Sequence, residues 1–111
     1  MDKATLNLDK PTVYKIIKDM HKALKKHGVK DNRIALFGSF FNGNPHKYSD
    51  IDMIIISNSF EGKNLFERID MTLKAESDVR NRYIVPMDIL LKTPKEYIYS
   101  KKAYFDSEII I

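Results

Sequence analysis

Apolar positions along this chain follow two spacings. Between Pro11 and Gly28, Val13, Ile16, Ile17, Met20 and Leu24 recur at helical intervals with lysines between them, which predicts an amphipathic helix. Pro11 suits its first turn, and Gly28 after His27 suits its C-terminal cap. Ile34 to Phe37 is a short apolar run that stops at Gly38, the pattern of a buried strand. A brief helical turn is expected over Ser39 to Phe41, followed by loop through "NGNPHKYS". "DIDMIIIS" is β-branched and apolar and reads as a second, central strand. "EGKNLFERIDMTLKAESDVRNR" carries Leu65, Phe66, Ile69 and Leu73 on one helical stripe. "YIVPMDILLK" reads as a third strand that begins after Pro86 or kinks there, because proline has no amide donor. A short helix is expected through "TPKEYIYSKKAYF" from near Pro94, and "SEIII" is an apolar tail in need of a partner. The order helix, strand, turn, strand, helix, strand, helix implies an α+β (or α/β) fold with a small sheet.

Length adds one bound: 111 residues fit one domain over positions 1–111, with a real core and little room for a second. No apolar run approaches the ~18 residues of a membrane span. "MDKATLNLDK" has no hydrophobic signal core, and the absence of cysteine excludes disulfides and thiolate metal sites, so a cytoplasmic setting is expected. A net charge of +4 leans toward anionic partners. Lys15, Lys18, Lys22, Lys25 and Lys26 could form a nucleic-acid face, although a solvated outer face is the plainer reading.

The chemistry concentrates in "ALFGSFFNGNPHKYSDIDMIIIS". Side chains alternate along a strand, so Asp50 and Asp52 share one face while Ile51 and Met53 share the other. Two carboxylates held together at the mouth of a packed sheet repel and lose hydration. Nearby lysines, a shared proton or a divalent cation can offset that cost. Magnesium suits a few carboxylates completed by water and phosphate oxygens. Asp88 in "VPMDILL" is the acidic residue embedded in another apolar strand, and three carboxylates on adjacent strands can hold two metals about a nucleoside triphosphate. Taken singly, Asp50 could cap a turn and Asp88 could be an edge-strand charge. Gly38 and Ser39 shift the balance, since a turn there opens backbone amides and a hydroxyl to a phosphate at a helix start.

Together, "LFGSFFNG…SDIDMIII" and "MDILL" resemble the minimal nucleotidyltransferases of the DNA polymerase beta superfamily. Their pattern is a hydrophobic residue, Gly-Ser, a loop, Asp-hydrophobic-Asp, and a third Asp on a later strand. The resemblance implies a nucleotidyltransferase fold: a small mixed sheet flanked by helices. It implies that Gly38 and Ser39 hold the nucleotide phosphates, that Asp50 and Asp52 bind two magnesium ions, and that Asp88 completes one metal site and acts near the incoming hydroxyl. It further implies ATP as substrate, AMP transfer to a hydroxyl, and a helical HEPN-type toxin as partner, its tyrosine the acceptor and this chain the antitoxin. Relatives commonly carry Gly-Ser-x-Ala-Arg-Gly. Here Phe41 stands where a small residue is usual and Asn42 where a basic one is, so the charge is lost. Lys47 in the loop could supply it, or could simply be solvated. That departure keeps open a second reading, a weakly active or non-catalytic module that masks a partner protein. Nucleic-acid binding through the lysine-rich helix ranks last.

Other residues add less. His21, His27 and His46 show no metal spacing; His21 and His27 are expected in solvent, while His46 could approach a bound nucleotide. Ser49 is expected to brace the turn before Asp50. Tyr97, Tyr99, Tyr104 and Phe105 alternate with Lys95, Lys101 and Lys102, a basic–aromatic mixture that can bind nucleic acid but fits a docked helix better, with Tyr97 and Lys101 on one face and other aromatics inward. "EIII" fits an interface or homodimer, and fits an added edge strand somewhat better.

Overall fold

The computed structural model describes residues 8–43, 50–103 and 106–111. His46, Lys47, Ser49, Tyr104 and Phe105 lie outside the described residues. The first helix, α1 (Lys10–Lys26), starts where the Asp9 carboxylate accepts the Thr12 N–H at 2.9 Å, a side-chain cap on amides the helix cannot satisfy itself. Pro11 sits in its first turn and Gly28, at φ +99°, follows its end. Its predicted apolar face is fully buried, while Lys15, Lys18, Lys22, Lys25 and Lys26 are exposed.

Strands β1 (Asn32–Phe37), β2 (Ile51–Ser57), β3 (Met87–Lys92) and β4 (Glu108–Ile109) form one sheet in the order β3-β2-β1-β4. β1 runs antiparallel to β2 and to β4, and β2 runs parallel to β3. The sheet is therefore mixed, as expected. A parallel pair needs a crossover, supplied here by α3 (Leu65–Arg82), which an Asn64–Glu67 capping box starts. The tail joins its own sheet as an edge strand, and Ile110 N–H donates to Ile34 O at 2.8 Å.

The sheet has two unlike faces. Ile34, Leu36, Ile51, Met53, Ile55 and Met87 pack with α1 and α3 into the main core. On the other face Ala35, Ile54 and Ile56 meet Tyr97 of α4 (Pro94–Ala103), with Phe37, Leu90 and Ile109 half-buried around them. β2 is apolar on both faces because both are covered along most of its length.

Two expectations are corrected, and the face of α3 that the sequence left open is settled. The stripe Leu65, Phe66, Ile69 and Leu73 points outward; Phe66 is 81% exposed. α3 instead buries the small residues Thr72, Ala75 and Val79, which permit close packing on α1. Tyr97 turns inward at 6% exposure, away from the exposed Lys101, and Tyr99 is the exposed aromatic. Neither helical histidine is merely solvated: His21 Nδ1 lies 2.7 Å from Asn32 Oδ1 and His27 Nε2 lies 2.7 Å from Asp78 Oδ2. No helix among the described residues is long and apolar enough to cross a membrane.

Candidate active site

β1 delivers the chain to the site and β2 carries it away. β1 ends at Phe37, whose register partner across the antiparallel ladder is Asp52. On its other side Asp52 is the register partner of Asp88 in the parallel strand β3. Directly opposed residues share a face, so Phe37, Asp52 and Asp88 stand side by side. This is the α4 face of the sheet, at the end away from Pro94. Asp50 precedes β2 and shares the parity of Asp52; it is exposed, as is Asp88, whereas Asp52 is half-buried. The segment is clamped by the Ile51 N–H, which donates to Pro86 O at 2.9 Å, while the Ile51 side chain is buried in the core behind. Alternation therefore makes the aspartate position outward because its neighbours must be inward.

Between β1 and the outgoing loop lies α2 (Gly38–Asn42), one short helical turn. Gly38 has φ +73°, and a Cβ placed on it would stand 1.9 Å from Asp52 Oδ2 and 2.7 Å from Asp52 Cγ. Glycine is required twice over, by the backbone conformation and by the carboxylate above it. Ser39 follows, half-buried. No side chain among the described residues caps the start of α2, and the turn closes at Gly43 with φ +79°. Phe40 and Phe41 pack against the main core, and Asn42 is exposed.

The electrostatics match this layout. The Asp52 carboxyl is pushed above its ordinary value, first by burial and then by the charges of Asp88 and Asp50. Asp52 thus feels both other carboxylates, and its ionised form is the one the site penalises. The donor set is all oxygen, the kind that hard divalent cations take. As the side chains stand, no three His, Asp or Glu groups among the described residues are gathered to metal-holding distance. What the fold brings together is a shared sheet edge, a shared face and a shared field.

Two features escaped the sequence reading. Phe37 lies on the site face beside Asp52; its place follows from register, which composition does not reveal. Asp31 accepts from Ser57 Oγ at 2.9 Å, Asn58 N–H at 3.0 Å and Ser59 Oγ at 2.7 Å, tying down the far end of β2. A groove of about 550 Å³ opens at that far end, lined by Asn32, Arg33, Ile56 and Tyr97 among others. Asp50, Asp52 and Asp88 do not line it.

A family model for the nucleotidyltransferase domain matches residues 14–110. No curated protein sequence matches the chain. Among solved structures, one assigned as a nucleotidyltransferase from Sulfolobus solfataricus is 16% identical with a TM-score of 0.61, the alignment covering 98% of this chain and 86% of that one. A second assigned nucleotidyltransferase is 26% identical with a TM-score of 0.56, covering 84% of this chain and 95% of that one. A toxin–antitoxin structure with AMP-PNP is 20% identical with a TM-score of 0.54, covering 86% of this chain and 72% of that one. The four-stranded mixed sheet flanked by helices is the fold these neighbours share.

Proposed function

The chain belongs to the nucleotidyltransferase-domain family, and from that premise we propose that it is a single magnesium-dependent domain, over residues 1–111, that transfers AMP from ATP to a protein hydroxyl. The observation that carries this reading is the register pairing of Asp52 with Asp88 beside Gly38. In the reaction the acceptor O–H attacks the α-phosphorus. A new P–O bond forms, the bond to the β-phosphate oxygen breaks, pyrophosphate leaves and the acceptor proton is released. Asp50, Asp52 and Asp88 are the residues that would hold magnesium, which when bound neutralises charge on the phosphates and on the two oxygens in line.

The chain's own groups do the rest. Gly38 allows the backbone to approach the phosphates closely, and the amides and hydroxyl at the uncapped start of α2, Ser39 included, receive them. Asp88, at the β3 edge and exposed, is placed to accept or guide the acceptor proton. The buried strands behind hold these groups in fixed relation, which is where an in-line displacement gains most of its rate.

The neighbour that pairs a toxin with an antitoxin and holds AMP-PNP supports an antitoxin role in the cytoplasm, with a tyrosine of a helical HEPN-type toxin as acceptor. The outward apolar stripe of α3 supports a protein partner as well. A second reading, masking of the toxin without transfer, is favoured by Asn42, which stands exposed and uncharged where relatives carry a base. Calorimetric titration of ATP with magnesium, alongside Asp52→Asn, separates them. Magnesium-dependent binding lost in the variant, with labelling of the toxin from α-labelled ATP, upholds transfer. Toxin binding without nucleotide binding leaves masking.

A further inference from the structure

A second groove opens on the same sheet face as the aspartates, between β3 and α4. It encloses about 490 Å³ and is lined by Lys92, Lys95, Glu96, Tyr99 and Ser100. Register places Lys92 against Ile56, Leu90 against Ile54 and Asp88 against Asp52, so Asp88, Leu90 and Lys92 line one face in sequence. Lys92 lies four residues beyond Asp88, roughly 13 Å along the strand at ~3.3 Å per residue. An extended peptide of a few residues spans that distance.

The groove is cationic in effect. Its one carboxylate among the described residues, Glu96, is engaged by Arg68 at 2.6 and 3.1 Å, so that charge is already matched. Lys92 and Lys95 make no ion pair among the described residues. Tyr99, 64% exposed, adds an aromatic wall with a polar tip.

Resting on the nucleotidyl-transfer reading above, we propose that this groove seats an acidic peptide segment of the acceptor protein and so selects which hydroxyl reaches Asp88. A peptide fits better than nucleic acid. One exposed ring, Tyr99, makes a poor stacking platform for bases. The lysine row of α1 lies on the layer behind the opposite sheet face, where it cannot extend a nucleic-acid track to the aspartates.

The test uses the full chain and fluorescent peptides of one length, each with a single tyrosine, flanked by glutamates in one and glutamines in the other. A uridine oligonucleotide serves as the third probe. Anisotropy without nucleotide should show the glutamate peptide binding about tenfold more tightly, with the preference fading as salt screens exposed charges. In the Lys92→Glu/Lys95→Glu variant the preference should vanish. In the transfer assay the same preference should appear in KM, with kcat little changed. Equal binding of the two peptides, a preference that survives the charge reversal, or tighter binding of the oligonucleotide each overturns the proposal. Calorimetry of ATP and magnesium without peptide reports separately on the nucleotide site that the transfer reading requires, so failure there leaves the groove to be judged by anisotropy.

Discussion

The Asp52 carboxylate occupies the space above Gly38 that any other residue's Cβ would need, with Oδ2 only 1.9 Å from that position. Gly38→Ala must therefore strain its φ of +73° and displace Asp52 together. Gly43, at φ +79° with no described residue within 4 Å of an added Cβ, meets only the first cost among the described residues. Each left-handed alanine costs about 1–2 kcal/mol, so Gly43→Ala should lower Tm by several degrees. Gly38→Ala should lower it further and should also abolish magnesium-dependent ATP binding, which Gly43→Ala retains. Thermal melts paired with calorimetry check this. Equal Tm losses with ATP binding intact in both would refute the coupling of Gly38 to Asp52.

Asp52 makes stability depend on pH in an unusual direction for a carboxylate. Its folded pKa is raised by burial and by Asp88 and Asp50, so between the unfolded value and the folded one the native state binds more protons than the unfolded chain. Stability then falls as pH rises through that window, and the full cost is present above it. Asp52→Asn should melt higher than wild type at neutral pH, and the gap should close as pH falls below the ordinary carboxylate range. Magnesium should raise the wild-type Tm and leave the variant where it was. A variant less stable than wild type at neutral pH would contradict this account.

How far these relations could be read in advance differs from element to element. α1 was legible because one strict apolar stripe meets one core face. Asp52 and Asp88 were legible as acids set in apolar strands, Asp50 as the acid at the mouth of one, and the Gly38–Ser39 turn as the break after the first strand. Their juxtaposition depends on β2 and β3 pairing in register, a long-range fact that no local pattern contains. The face that α3 buries was not legible, for a physical reason. Apolar periodicity marks a stripe but does not say what covers it, and here the small Thr72, Ala75 and Val79 gain more from close packing on α1 than the bulky Leu65, Phe66, Ile69 and Leu73 could. The helical histidines were misjudged because their partners, Asn32 and Asp78, come from distant segments.

Arg68 ties α3 to the start of α4. Its guanidinium donates to both Glu96 oxygens, at 2.6 and 3.1 Å, and to Leu91 O at 3.2 Å. Glu96 is held down to about 2, chiefly by Arg68, and it also accepts the Thr93 N–H while Thr93 Oγ1 accepts the Glu96 N–H, a capping box. A depressed folded pKa contributes stability that is present above the unfolded value and lost as pH falls through about 2. Because Glu96 is partly exposed, the pair is worth about 1 kcal/mol or less. Glu96→Gln keeps a capping side chain and removes the charge, so it should cost only that amount, and its deficit should disappear in acid. Glu96→Ala should cost more at every pH. Melts of both variants across pH separate cap from charge: identical curves for the two variants would mean that the cap contributes nothing, and a Glu96→Gln curve that matches wild type at neutral pH would mean that the charge contributes nothing.

The outward stripe of α3 separates folding from association. Phe66 and Leu73 are exposed, at 81% and 54%, so Phe66→Ser and Leu73→Ser should leave Tm nearly unchanged, within about 0.5 kcal/mol of wild-type stability. Ala75, fully buried between α3 and α1, has no room for added volume. Ala75→Leu should cost about 1–3 kcal/mol through overpacking, the reverse of what side-chain hydrophobicity alone would suggest. If the stripe receives the toxin proposed as partner, the two serine variants should fold normally and fail to co-purify with it when the two chains are expressed together. A large Tm loss in Phe66→Ser would mean that the stripe is covered within this chain, whereas wild-type co-purification by both serine variants would direct the partner to another surface.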